Sequence, residues 1–215
     1  MNPKTNCSLL VLVLTAGLLP ATASAQLRIT EAESSEASGT FTTADWWELT
    51  NFGLSPVNLT GYTMDDSSAS VGSSVALTGV TSIAPGESVV FVEDLTEQEY
   101  RDWWGSGLSL SVQVGSYSGS GVSFSSGGDG VTLFDSGGTL VDSVSFGSAT
   151  SGTTFEFDNG SSGRSPVGLS AEGVNGAFLS QNGDIGSPGA VPEPATLTLG
   201  ALGLASLLTL RRRRA

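Results

Sequence analysis

Apolar and polar residues alternate in short runs between positions 26 and 158, and Gly, Ser, Asn and Pro separate the runs. Within Asp45 to Thr50, Trp47 and Leu49 fall on one face, and Trp46 and Glu48 on the other. This period of two predicts an all-β sandwich. The predicted strands cover Gln26 to Glu31, Asp45 to Thr50, Pro56 to Leu59, Gly61 to Met64, Val75 to Leu77, Ser88 to Glu93, Leu108 to Val114, Val122 to Ser125, Val131 to Asp135, Thr139 to Phe146 and Thr154 to Phe157.

Two turns are predicted from their residue types. Pro and Gly at the centre of Ala84-Pro85-Gly86-Glu87 suit a tight turn, and Ser136-Gly137-Gly138 suits a β-hairpin. The predicted strand Ser88 to Glu93 lies between these turns. Its inward-pointing residues are either Val90 and Val92 or Val89 and Phe91.

One short helix interrupts the strands between Leu95 and Gly105. Thr96 and Glu99 have the spacing of a capping box at its start. Tyr100, Trp103 and Trp104 recur at the spacing of one helix face. Such a face docks a helix onto a sheet, and the alternative is a sugar-binding platform. Trp46 is a further candidate for carbohydrate if its ring is exposed.

The first 25 residues have the pattern of a signal peptide. Lys4 supplies a positive charge, Leu9 to Leu19 is apolar, and Ala23-Ser24-Ala25 fits a signal peptidase site that leaves Gln26 as the first mature residue. The alternative is a transmembrane anchor. Cys7 is the only cysteine, so a disulfide framework in the mature chain is excluded.

The last residues predict a membrane helix with a fixed orientation. Ala195 to Leu210 is uncharged, and as a helix it spans roughly 24 Å, slightly less than the hydrocarbon core. Arg211, Arg212, Arg213 and Arg214 follow directly. By the positive-inside rule these arginines stay cytoplasmic, so the preceding domain lies on the opposite side of the membrane.

Val191 to Ala215 as a whole resembles the PEP-CTERM sorting signal of Gram-negative bacteria. The resemblance rests on Pro192-Glu193-Pro194, the apolar run and the terminal arginines, in that order. It implies recognition by an exosortase, cleavage near Val191 to Pro194, and export together with exopolysaccharide to the cell surface or extracellular matrix.

Composition excludes several kinds of chemistry. The chain has no histidine and no cysteine after position 7, so Ser-His-Asp and Cys-His catalysis and ordinary zinc sites are excluded. The segment from Gln26 to Ala190 holds three arginines but all of the 21 acidic residues except Glu193. Such a negative segment repels phosphate backbones, which makes nucleic-acid binding improbable.

The many carboxylates are interpreted first as a solvated acidic surface. Paired carboxylates could in principle hydrolyse glycosides, but the sequence distinguishes no pair, so no catalytic residue is assigned. No cofactor is predicted, with calcium as the one candidate, because hard oxygen ligands suit it. The candidate calcium ligands are Asp65 and Asp66 with Glu93 and Asp94, or Asp129 with Asp135.

Asp142 is predicted to be buried. It lies between Leu140 and Val144 on the same side of a predicted strand, and an inward carboxylate needs a partner. Arg164 is the expected cation, in a structural rather than a catalytic role.

The strands together resemble the lamin tail domain, an immunoglobulin-like β-sandwich. The segments that carry the resemblance are Asp45 to Asn51, Val57 to Tyr62, Asp65-Asp66, Ile83 to Val90, Trp104-Gly105, Asp129 to Asp135, Gly138 to Val144, Gly163 to Pro166 and Ser187 to Ala190. An added Gly/Ser stretch around Ser116 to Gly128 departs from the pattern. The resemblance implies a non-catalytic interaction module.

The chain is therefore divided into a signal peptide (1–25), a sandwich core (26–158), a Gly/Ser-rich closing segment and linker (159–190) and a sorting segment (191–215). The closing segment is either an irregular wrap or partly a linker. The expected function is an exported structural or adhesive protein of the envelope or exopolysaccharide matrix, with envelope proteins or polysaccharide as partners. The alternative is a carbohydrate-binding module that uses Trp46, Trp103 or Trp104, and exposure of those rings distinguishes the two.

Overall fold

The structure is a computed structural model, and it describes residues 27–37, 39 and 44–190. The predicted signal helix and the predicted transmembrane helix lie outside this part of the chain. None of the described helices is long and apolar enough to cross a membrane. The strands are β1 (Leu27–Glu33), β2 (Trp46–Asn51), β3 (Val57–Asn58), β4 (Thr63–Asp65), β5 (Val75–Ala76), β6 (Ser82–Ile83), β7 (Ser88–Glu93), β8 (Gln113–Tyr117), β9 (Asp129–Phe134), β10 (Leu140–Phe146), β11 (Phe155–Glu156), β12 (Gly168–Leu169), β13 (Phe178–Leu179) and β14 (Ile185–Gly186).

The strands form two main sheets that pack face to face. A six-stranded sheet has the order β12-β11-β1-β2-β7-β8, and a four-stranded sheet has the order β10-β9-β4-β5. All neighbours in both sheets are antiparallel except β7 and β8. The described residues also include one short α-helix, α1 (Glu97–Trp104). This architecture confirms the predicted immunoglobulin-like sandwich.

The six-stranded sheet is buried on both faces at its centre. Trp47 and Leu49 belong to the cluster between the two sheets, whereas Trp46 belongs to a second cluster on the outer face. The same holds for β7, because Val89 and Phe91 face the first cluster and Val90 and Val92 the second. Both pairs of residues therefore point into a hydrophobic cluster, each pair on its own face of the sheet.

Helix α1 covers the outer face, as one of its two interpretations predicts. The Thr96 hydroxyl accepts a hydrogen bond from Glu99 N, and the Glu99 carboxylate accepts one from Thr96 N, which confirms the capping box. Tyr100 and Trp104 pack edge-on against Trp46, with ring centroids 5.8 Å and 5.4 Å away. Edge-to-face contacts of this kind add to the free energy gained from burying the rings.

Two strand predictions are wrong. The run Leu108 to Val114 begins as a turn, because the Arg101 guanidinium binds the carbonyl oxygens of Ser109 (3.3 Å) and Val112 (2.7 Å), and β8 starts only at Gln113. The run Val122 to Ser125 is irregular. There Phe124 N donates to the Asp45 carboxylate instead of to a strand, while its ring enters the core between the sheets.

Both predicted turns are present. Glu87 N donates to Ala84 O at 3.1 Å, and Gly86 has a φ of +72°, which glycine adopts without strain. At the β9–β10 hairpin, Asp135 N donates to Thr139 O at 2.9 Å.

Residues 159–190 wrap around the sandwich. β12 extends the six-stranded sheet by pairing with β11, and β13 pairs with β14. Thr154 N donates to Ile185 O, which fixes β14 beside the start of β11. The last residues, Ile185 to Ala190, then cross the outer face of the sheet next to α1.

Candidate functional site

Two glutamates stand side by side on the outer face of the six-stranded sheet. Glu31 of β1 is directly opposite Glu48 of β2 in the antiparallel register. Both are about 1% exposed. They lie under the end of the closing segment, so the chemistry of this site involves the junction between the folded domain and the sorting segment.

These carboxyl groups bind the backbone of the closing segment. Ser187 N donates to Glu31 Oε1 at 2.7 Å, and the Ser187 hydroxyl donates to Glu31 Oε2 at 3.1 Å. Gly189 N donates to Glu48 Oε2 at 2.6 Å. The hydroxyls of Thr154 and Thr30 donate to Glu31 and Glu48 from below. The end of the domain is therefore fastened by side-chain acceptors rather than by a sheet ladder.

A second pair of carboxyl groups lies beside the first. Glu33 accepts a hydrogen bond from Trp46 Nε1 at 2.5 Å, and Asp184 accepts one from Trp103 Nε1 at 2.5 Å. Asp184 also accepts from Ala37 N. The indole N–H groups of Trp46 and Trp103 thus have acids as acceptors, as buried tryptophans usually require, whereas Trp104 Nε1 has no hydrogen-bond partner among the described residues.

Burial raises the pKa of these acids. The pKa of Glu31 rises to about 7, chiefly through desolvation, with a further increase from the Glu156 charge. The pKa of Glu48 rises to about 8, through burial and the neighbouring Glu31. Burial and the Asp184 carboxylate raise the pKa of Glu33 well above its usual value. Repulsion between like charges and loss of water both favour the protonated form.

No cation compensates these charges within the described residues. Arg28 and Arg164 lie beside Asp142, at 3.9 Å and 2.9 Å, and Arg101 pairs with Glu97 at 2.8 Å. The buried carboxyl groups of this site are therefore neutralised by protonation. Because the folded-state pKa exceeds the unfolded value of 4.5, the stabilisation is complete below pH 4.5. It is lost as the pH rises through about 7 to 8.

Asp142 differs from these acids because it is paired with a cation. Its carboxylate receives two hydrogen bonds from Arg164, both at 2.9 Å, and a third from Ile29 N at 2.8 Å. Arg164 Nη2 also donates to Ile29 O at 2.7 Å. The predicted pairing of Asp142 with Arg164 is confirmed, and it ties the two sheets together.

The candidate sugar platform is not available. Trp46 and Trp103 are fully buried and Trp104 is 1% exposed. Their faces pack on one another, on Tyr100 and on Phe178. A sugar cannot stack on a ring whose faces are already covered, so these three residues serve packing.

The candidate calcium ligands do not converge. Asp129 and Asp135 flank the two ends of β9, about 20 Å apart at the rise of a strand. Asp135 accepts from Gly137 N and Thr139 N in the hairpin turn. Asp65 is buried and accepts from Ser68 Oγ and Ser70 N. Asp66, Glu93 and Asp94 complete no site either, because the described residues contain no group of three acids able to hold a metal ion.

A further acid pair lies at the other end of β2 and β7. Asp45 accepts a hydrogen bond from Phe124 N and faces Glu93, which accepts one from Ser123 Oγ. Burial, with the Glu93 charge, raises the pKa of Asp45 to about 8. This pair fixes the irregular segment before β9.

The interpretation of the acids as a solvated surface is therefore wrong for Asp45, Asp65 and Glu93, which are buried, and for the four acids on the outer face, Glu31, Glu33, Glu48 and Asp184. All four are at most 1% exposed and lie beneath backbone, so they form no cleft that a substrate could enter. The sequence contained one signal for them. Glu48 shares a face with Trp46 in the predicted strand Asp45 to Thr50, which indicates that this acid lies beside a large apolar side chain.

Two family models match the chain. The model described as Lamin Tail Domain matches residues 20–148, and the model described as PEP-CTERM protein-sorting motif matches residues 190–214. No curated protein matches the chain. The sorting match begins one residue after Gly189, where the described contacts with the sheet end. The candidate residues Ala23, Ala25 and Gln26, Val191 to Pro194, and Arg211 to Arg214 lie outside the described residues.

Proposed function

The chain belongs to the lamin tail domain family, and on that premise we propose that it is a non-catalytic structural or adhesive component of the cell envelope or exopolysaccharide matrix. Its PEP-CTERM motif marks it as an exported bacterial protein that an exosortase sorts at a membrane. Both families are non-catalytic.

The observation that carries the proposal is that the acids and tryptophans on the outer face are all occupied by contacts within the domain. On the outer face of the six-stranded sheet, four buried acids and three tryptophans contact one another, the backbone and the closing segment. None of them is left facing solvent. This supports a stable module that acts through its surface and not through a reaction.

In the proposed route, signal peptidase cuts after Ala25 and leaves Gln26 as the first residue. Ala195 to Leu210 then holds the chain in the inner membrane of a Gram-negative host, with Arg211 to Arg214 in the cytoplasm. Cleavage near Val191 to Pro194 releases the sandwich to the cell surface or matrix. There it contacts polysaccharide or envelope proteins.

Fractionation of the native host with and without its exosortase tests this route. We expect the chain to remain in the membrane fraction only when the exosortase is absent, and to appear in the surface or matrix fraction otherwise. Replacing Pro192, Glu193 and Pro194 by alanine should reproduce the retention in the wild-type host. Equal release in all strains would contradict the proposal.

A further inference from the structure

The two ends of the six-stranded sheet differ, and one of them is where the chain leaves the domain. Leu27 pairs with Asn51, Thr50 with Ser88, and Val89 with Gln113, so the start of β1, the end of β2 and the starts of β7 and β8 share one end. We call this the exit end. Beyond it project three turns, formed by residues 52–56, 84–87 and 108–112.

The three turns form one connected surface. Asn51 N donates to Glu87 O at 2.9 Å, and Gln113 Nε2 donates to Glu87 Oε1 at 2.7 Å. Arg101 holds the turn 108–112 through the carbonyl oxygens of Ser109 and Val112. The surface is therefore fixed to the sheet and to α1.

The closing segment ends beside this surface. Gly189 lies so close to the turn 108–112 that a Cβ atom built on it would be 2.2 Å from Val112 Cγ2. Only Val191 to Pro194 separate Ala190 from the apolar run that starts at Ala195. A fully extended chain covers at most 3.6 Å per residue, so Ala190 and Ala195 are at most about 18 Å apart.

The exit end also carries the two most exposed large apolar side chains of the described residues. Leu54, in the first turn, is 78% exposed and Leu110, in the third turn, is 88% exposed. Single exposed leucines are ordinary on a protein surface. These two lie on fixed turns at the same end of the sheet, beside the residues that precede the predicted membrane segment.

The two ends of the six-stranded sheet also differ in the number of carboxylates that they carry. The three turns at the exit end contain one carboxylate, Glu87, whose oxygens are bonded to Ala84 N and Gln113 Nε2. The opposite end of the sheet and the residues just beyond it carry Glu33, Glu36, Asp45, Glu93 and Asp94. An anionic lipid surface repels carboxylates, and burying charge near a bilayer is costly. The three turns at the exit end of this sheet are therefore poorer in acids than its opposite end.

We propose that the exit end is a membrane-contact surface, and that Leu54 and Leu110 lie in the lipid headgroup region while the sorting segment is anchored. The inference rests on the proposed anchoring through Ala195 to Leu210. It adds an orientation, because the strands stand with the acidic end away from the bilayer. Apolar side chains gain free energy on entering the interface.

Depth-dependent fluorescence of the full chain tests this surface. In a Cys7→Ser background, single cysteines at Leu110→Cys and Leu54→Cys carry an environment-sensitive dye, and the chain is reconstituted in vesicles of phosphatidylethanolamine and phosphatidylglycerol. Ser118→Cys is the matched control at the other end of β8, and Val167→Cys is the control for an exposed apolar residue on the lateral edge. We expect lipid-attached quenchers to act severalfold more strongly on dyes at 54 and 110 than at 118 and 167, and iodide to act in the reverse order.

Each other outcome overturns the inference in a distinct way. If the chain stays with the vesicles on flotation but all four dyes are quenched by iodide alone, the membrane contact is wrong and the anchor stands. If the dyes at 54 and 110 resist both quenchers, a protein contact covers the exit end instead of lipid. If the chain does not float with the vesicles, the proposed anchoring fails together with the surface.

Discussion

The two faces of the six-stranded sheet are covered by different chemistry. The inner face packs against the four-stranded sheet through aliphatic and aromatic side chains, and the carboxylate of Asp142 that accompanies it is neutralised by Arg164. The outer face packs against α1 and the closing segment through tryptophans and four acids, with no cation among them. The first face accounts for the fold, whereas the second makes the attachment of the last residues depend on protons.

Removing the Asp142 carboxylate on the inner face should give the largest decrease in unfolding free energy. Asp142→Ala leaves Arg164 buried without its partner, which typically costs about 3–5 kcal/mol of unfolding free energy. Urea unfolding of the detergent-solubilised full chain, followed by tryptophan fluorescence, measures it. Glu97→Ala is the matched control, because the exposed Glu97–Arg101 pair contributes about 0.5 kcal/mol or less. Equal effects of the two substitutions would show that the inner ion pair is not structural.

The outer face should instead give stability that decreases as the pH rises. Between pH 4.5 and about 7 the unfolded chain releases a proton that the folded chain keeps on Glu31. This proton alone should lower the unfolding free energy by about 3 kcal/mol over this range. The double substitution Glu31→Gln and Glu48→Gln keeps neutral acceptors at both places, so it should flatten the profile. A profile of unchanged slope in that variant would contradict the assignment.

A methyl group at the junction should have a smaller effect. Gly189→Ala places a Cβ against Val112 in a backbone with a φ of +84°, and we expect a loss of about 1–3 kcal/mol. Gly163→Ala is the control, since Gly163 has the same φ but nothing within 4 Å of its Cβ position. If both variants unfold at the same urea concentration, backbone strain alone explains the loss and the close approach to Val112 is wrong.

Loss of the helix cap should have the smallest effect. Thr96→Ala removes the acceptor for Glu99 N, at a cost of about 1 kcal/mol. Because α1 covers the outer face, its loosening should lower the hydrogen-exchange protection of Trp103 and Trp104 before that of β9 and β10. A uniform decrease in both regions would mean that the two faces unfold as one unit.

The inner face was largely predictable from the sequence and the outer face only in part. The alternation in Asp45 to Thr50 indicates which tryptophan faces which side, and the position of Asp142 between apolar neighbours indicates a buried acid. The roles of Glu31 and Glu48 could not be predicted in the same way. Their partners are backbone N–H groups at positions 187 and 189, which have no side-chain pattern and lie far away along the chain.

The start of β8 shows the same limit. Leu108 to Val114 has the alternation of a strand, but Arg101 binds the carbonyl oxygens that a ladder would need. A tertiary contact decides the local structure there, and the resulting turn carries Leu110 at the exit end.

Amide hydrogen exchange at Ser187 and Gly189 as a function of pH measures whether protons on Glu31 and Glu48 hold the closing segment on the sheet. Rates are corrected for intrinsic exchange and compared with those of β9 and β10 in the same chain. We expect protection of the two amides to fall selectively between about pH 5 and pH 8, since ionised Glu31 and Glu48 regain water when the segment opens. The double substitution Glu31→Gln and Glu48→Gln should abolish this fall. Protection of both amides that does not change across this range would contradict it.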